Sequence, residues 1–198
     1  FPNQRMDMTS NENTLINLGY TGSFKWGEVE ARAFGQDTRH EMNMGPDRFF
    51  YGFGMPMNSK AESRGGQVKG SIELSDRDLL RVGGEYLAYR LDDWWSPVGS
   101  SGSMCCNDFR NIRDGQQDRF GIYGEWEASW SPEWLSLIGV RGDLVTSDAG
   151  SVQGYNDTMQ IWKADAAAFN ARDRRRTDPH LDLTALLRYT PHAMVGFE

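Results

Sequence analysis

Two residue types stand out for the chemistry they could do together. Methionines recur as Met-x-Met beside one histidine: Met6-Asp-Met8, His40-Glu-Met42-Asn-Met44 and Met55-Pro-Met57, with Met104-Cys105-Cys106 further on. Each group sits among Gly, Pro, Asn, Ser and charged residues, whereas a methionine that fills a core gap is normally flanked by apolar residues at a regular period. Thioether sulfur is a soft, neutral ligand suited to Cu(I), and imidazole also suits copper. His40 and Met42 lie two apart, so on an extended strand they share one face. A protonated imidazole cannot ligate, so metal binding through His40 is expected to weaken in acid. Met44, Met55, Met57, Met6 and Met8 could form a track of exchangeable soft contacts, or could pack the loops. Met104, Cys105 and Cys106 could form an extra soft site. The adjacent cysteines cannot staple a distant loop, and the plain alternative is a free or locally oxidised pair.

The elements that must position these residues are strands. Period-2 alternation appears in hairpin pairs. Ile16, Leu18 and Tyr20 are followed by Val29, Ala31 and Ala33 beyond a turn at 22–25. Val68, Ile72 and Leu74 lead through a turn at 75–78 to Leu80, Val82, Tyr86 and Ala88. Phe120, Ile122, Trp126 and Trp130 turn at 131–133 into Ile138, Val140 and Leu144. Leu181, Leu183, Ala185, Leu187 and Tyr189 turn at Pro191-His192 into a strand that reads as cut off mid-run. One strand face is heavily charged, and the other carries Gly, Ala and single large apolar or aromatic residues.

Every second connection is short, and the others are long, at about 38–63, 93–116 and 146–178. Short turns on one side and long loops on the other are the pattern of a transmembrane β-barrel. Trp94 and Trp95 at one strand end, and Trp130 and Trp134 about a short turn, fit its two interfacial girdles. The Ala-rich stretch 159–172 reads as a short helix within the third long loop. The expected fold class is therefore all-β: an antiparallel transmembrane β-barrel segment of about eight strands. A soluble antiparallel sandwich is the alternative, and it would bury the faces of Trp126, Ile138 and Leu183 against a second sheet.

Composition narrows the function. The chain has 198 residues and a formal net charge of −7, with a mean hydropathy of −0.63. The acidity argues against nucleic acid as a partner, since phosphate binding needs a basic face. No apolar run reaches the roughly 18 to 20 residues of a membrane-spanning helix. No nucleophile–base–acid grouping and no phosphate-binding glycine loop stands out, so no enzyme activity is expected.

His40-Glu-Met42-Asn-Met44, Gly54-Met-Pro-Met57, Leu91-Asp-Asp-Trp-Trp95, Glu125-Trp-Glu-Ala-Ser-Trp-Ser-Pro132, Gly139-Val-Arg-Gly-Asp143 and Ala166-Ala-Ala-Phe-Asn-Ala-Arg172 together resemble the TonB-dependent copper receptors of Gram-negative outer membranes. The resemblance covers nearly the whole chain; it is specific in the loops and generic in the strands. It implies a barrel of about 22 strands around a plug domain. Residues 1–198 would then be a partial barrel domain, with the plug and the C-terminal strands absent. It also implies copper import energised through TonB, with outer-membrane lipid and lipopolysaccharide around the barrel. In that family a Cys-x-x-x-Met pair of the plug and a His-x-Met pair of the barrel hold the metal; His40 and Met42 match the barrel pair. Cys105 and Cys106 do not have the plug spacing. A receptor for a ferric siderophore or another metal chelate is the alternative within the same class. An outer-membrane barrel enzyme and a soluble β-rich binding module are the alternatives outside it.

Overall fold

A computed structural model of the chain describes residues 6–44, 56–99, 101–102, 104–156, 160–192 and 195–197. The strands are β1 (Asp7–Phe24), β2 (Gly27–Asn43), β3 (Met57–Glu73), β4 (Asp78–Trp95), β5 (Phe109–Ser129), β6 (Trp134–Asp148), β7 (Arg176–His192) and the short β8 (Val195–Phe197), with one helix, α1 (Gln160–Asn170), before β7. They form a single eight-stranded sheet in sequence order. Each neighbouring pair is antiparallel. The fold is all-β, as the alternation predicts.

The cross-strand register gathers the apolar residues into one continuous band on one face of the sheet. Four successive rungs on one face are apolar from strand to strand. They are Leu18–Ala33–Gly66–Tyr86–Phe120–Leu144–Pro179, Tyr20–Ala31–Val68–Gly84–Ile122–Gly142–Leu181, Gly22–Val29–Gly70–Val82–Gly124–Val140–Leu183 and Phe24–Gly27–Ile72–Leu80–Trp126–Ile138–Ala185. At two residues per rung they span about 20 Å of strand, close to the height of a lipid-facing band. Among the described residues nothing covers this face: Leu181 is 70% exposed and Leu183 78%. A sandwich would bury these side chains against a second sheet, and no second sheet is present among the described residues.

The band ends abruptly at the next rung, where Arg64 and Asp118 join the row. At the other end it closes on aromatics. Phe24 stacks on Trp26 at 5.3 Å, Trp126 meets Trp130 edge-on at 6.1 Å, and Trp134 stacks on Tyr189 at 4.4 Å. Trp126 Nε1 donates to Asp78 Oδ1 at 3.1 Å and Trp130 Nε1 to Ser136 Oγ at 2.8 Å. Apolar rings with hydrogen-bonded polar edges suit a headgroup boundary.

The opposite face is ionic. Arg141 bonds Glu85 and Asp143, and Arg119 bonds the same two carboxylates at 2.9 and 3.0 Å. Arg81 joins Glu125 at 2.6 Å and Glu127 at 2.9 Å. Such a wall belongs beside water or another polar surface, as in a barrel lumen.

The short turns lie at 25–26, 74–77 and 130–133. The first needs glycine: Gly27 has φ +144°, and a Cβ there would overlap the Ser71 carbonyl oxygen. The other two are built on serine. Ser75 Oγ accepts from the backbone N–H of Arg77 and Asp78, and Ser131 Oγ accepts from that of Glu133.

Several boundaries differ from the sequence reading. The first turn is shorter and later than 22–25. β7 continues through Pro191 to His192, where a turn was expected. The long connections shrink to 44–56, 96–108 and 149–175, because the strands continue past the apolar band with polar residues on both faces. Backbone pairing persists there while the alternation that signals a strand disappears. The expected helix is present as α1. Trp95 leaves the girdle: it lies on the ionic face, opposite Met57, while Trp94 lies on the other.

Candidate metal site

The strand extensions carry the methionines. On the inner face at the loop end, one rung runs Met8–Met42–Met57–Trp95–Phe109 across β1 to β5. Directly opposed side chains have Cβ atoms about 5 Å apart, close enough for long thioethers to share one ion. The adjacent rung runs Asn11–His40–Ser59–Asp93–Ile112. His40 and Met42 therefore share the inner face, and Met8 and Met57 flank Met42 on either side.

Met8 reaches this rung through a β-bulge. The β1–β2 register shifts between Met8 and Ser10. Without the shift Thr9 would stand opposite Met42, and Met8 would turn to the outer face. Thr9 instead donates its hydroxyl to the Glu41 carbonyl at 3.2 Å.

His40 is oriented by its neighbour. Its Nδ1 lies 3.4 Å from Asn11 Oδ1. In the tautomer that carries its proton on Nδ1, the ring donates to this amide oxygen and keeps the Nε2 lone pair for a metal.

The remaining candidates divide by position. Met6 and Met44 lie just beyond the paired ends of β1 and β2, and Met55 lies outside the described residues. Met104, Cys105 and Cys106 lie in the 96–108 loop. The cysteines are joined to each other in a disulfide. In that state they offer no thiolate, so the extra soft site would need the reduced pair. Among the described residues no three His, Cys, Asp or Glu side chains converge on a metal position. Among the described residues, a metal site here would therefore draw on the thioethers.

The loops form a packed cap continuous with this rung. Trp95 meets Phe109 at 6.3 Å and Phe109 meets Tyr155 at 5.4 Å. Tyr155 is 1% exposed, and burial pushes its phenol up to about 12. Cys105 is also buried in the cap. Asn107 N–H donates to the Tyr155 carbonyl at 3.0 Å, and the Asn156 amide donates to the carbonyls of Gly102 and Cys105. Asn170 at the end of α1 clamps Val152, accepting from its N–H and donating to its carbonyl, both at 2.8 Å.

The Arg172–Arg176 run is partly committed within the chain. Arg174 donates to the carbonyls of Ala149 and Asn170, and Arg176 pairs with Asp178. His180 stands on the inner face opposite Asp143.

The sheet has the fold of a TonB-dependent outer-membrane receptor barrel. It matches the structure of the copper transporter OprC with a TM-score of 0.70 at 16% identity, over 94% of this chain and 28% of that one. It matches the FrpB iron transporter from Neisseria meningitidis with a TM-score of 0.62 at 13% identity, over 91% of this chain and 26% of that one. The chain thus spans little more than a quarter of either protein. No family profile and no curated protein sequence matches it.

Proposed function

We propose that this chain is part of the barrel of an outer-membrane, TonB-dependent receptor that imports copper, taken up as Cu(I). The observation that carries the reading is the rung Met8–Met42–Met57 with His40 on the adjacent rung. Three neutral sulfurs and one imidazole nitrogen suit a soft monovalent ion and serve a hard ion poorly. His40 and Met42 are the barrel ligands, and a plug domain supplies the others. Met8 and Met57 are relay contacts, with Met44 and Met6 as their outward continuation and Met55 as a further candidate from the sequence. The protein's own plug, the TonB complex, outer-membrane lipid and lipopolysaccharide are its partners, and no catalytic step is involved. The structural likeness to a copper transporter supports this reading.

The likeness to an iron transporter favours a second reading, a receptor for a ferric chelate. Oxygen-rich chelates need cationic and hydrogen-bonding walls rather than thioethers.

The test is metal binding by the intact outer-membrane protein. Elemental analysis and competition titration with Cu(I) are expected to show tight binding that falls at least tenfold in the His40→Ala, Met42→Ala double variant. Unchanged tight binding in that variant removes both residues from the site.

A further inference from the structure

On its β4 side the methionine rung does not end in solvent. Its next member on β4 is Trp95, directly opposite Met57. The indole is held from the far side by Phe109 on β5, which in turn packs on buried Tyr155. β4 lies between β3 and β5, so Trp95 stands between the thioether side and the aromatic side of one row. Its Nε1 is buried without a hydrogen-bond partner among the described residues. Packing alone therefore positions the ring.

The charge pattern gives this placement chemical meaning. Met8, Met42, Met57, Trp95 and Phe109 include no carboxylate. The nearest carboxylate on the same face by register is Asp93, one rung away, and it already accepts from the Asn111 amide at 3.3 Å. Neutral thioethers leave the charge of a monovalent cation uncompensated. The negative face of an indole attracts such a cation most strongly of the aromatic side chains. The same face repels the oxygen-rich, anionic surface of a ferric chelate.

We propose that Trp95 is a further contact of the soft-cation site: its indole face closes the row against Met57 and selects a soft monovalent cation over a ferric chelate. This rests on the soft-metal reading above and adds a selectivity element to it.

The experiment uses the intact protein, folded in detergent, with Ag(I) in chloride-free buffer as a redox-inert probe for Cu(I). Bound silver is measured by elemental analysis and affinity by competition. Tryptophan emission is recorded in parallel, and subtracting the spectrum of Trp95→Phe isolates Trp95. Ag(I) is expected to perturb the Trp95 component, and ferric citrate is expected to leave it unchanged. Trp95→Leu, which keeps an apolar side chain without the π face, is expected to weaken Ag(I) binding about 3- to 30-fold. Trp95→Phe is expected to recover part of that loss. Retained heat-modifiable mobility in gels reports that each variant folds. If Trp95→Leu binds Ag(I) as the parent does while Met42→Ala binds it more weakly, the role of Trp95 is overturned and the soft-metal reading stands. If the parent itself binds no stoichiometric Ag(I), the soft-metal reading falls and takes the Trp95 proposal with it.

Discussion

Asn11 Oδ1 lies 3.4 Å from His40 Nδ1, across a register in which the two residues are directly opposed on β1 and β2. In the Nδ1-protonated tautomer this contact is a hydrogen bond to Asn11, and Nε2 keeps its lone pair for a metal. Groups that orient a metal-binding histidine typically contribute 10- to 100-fold in affinity. Asn11→Leu is therefore expected to lower Ag(I) or Cu(I) affinity about tenfold, while Asn11→Asp, which keeps the acceptor, holds it near the parent value. Competition titration decides the matter. Parent-like affinity in Asn11→Leu, alongside weak binding in His40→Ala, would show that Asn11 does not position the ring.

The part of the fold within the apolar band was legible because an apolar face on one side and a charged face on the other impose alternation. Ile16, Leu18 and Tyr20, or Leu181 and Leu183, can be read directly as strand residues. Beyond the band the constraint disappears. The outer rung Glu12–Arg39–Lys60–Asp92 and the inner rung Asn11–His40–Ser59–Asp93 are both polar. The strands there look like loop in the sequence.

The site was legible only as far as it is local. His40 and Met42 are two residues apart, and their shared face follows from strand geometry. That Met8 and Met57 join them depends on long-range register and on a bulge at Thr9, neither of which leaves a mark in the sequence. Trp94 and Trp95 look equivalent as neighbours, yet one residue of offset puts them on opposite faces of the sheet.

The lipid-facing assignment makes a direct prediction at Leu183, on the third apolar rung and 78% exposed. Leu183→Arg is expected to cost about 2–4 kcal/mol of folding stability in bilayers. Thr184→Arg, one residue on and facing inward beside Glu125 and Gly139 in register, is expected to cost much less. Urea titrations of folding into lipid vesicles compare the two. Equal effects would contradict the assignment of faces.

The loop cap is expected to open as a unit when its clamp is removed. Asn170 makes two 2.8 Å hydrogen bonds to the backbone of Val152, and each contributes about 1 kcal/mol net. Asn170→Ala should leave the barrel folded while amide exchange in the segment 149–156 accelerates about 10- to 30-fold. Parent-like protection of the Val152 N–H in this variant would mean that other contacts hold the cap.

Tyr155 supplies a pH-dependent test of the same cap. Burial raises its phenol to about 12 from an ordinary value near 10. The neutral form is the one the folded cap favours. Its contribution is therefore fully present below about pH 10 and is lost as pH rises through about 12. Absorbance at 295 nm should show one tyrosine ionising late, and Tyr155→Phe should remove that late component while leaving the earlier ones in place. Because Tyr155 packs on Phe109 and Phe109 on Trp95, the late ionisation should coincide with a change in Trp95 emission, isolated by the Trp95→Phe difference. Late ionisation without that change would show that the aromatic chain from the cap to the methionine rung does not move as one piece.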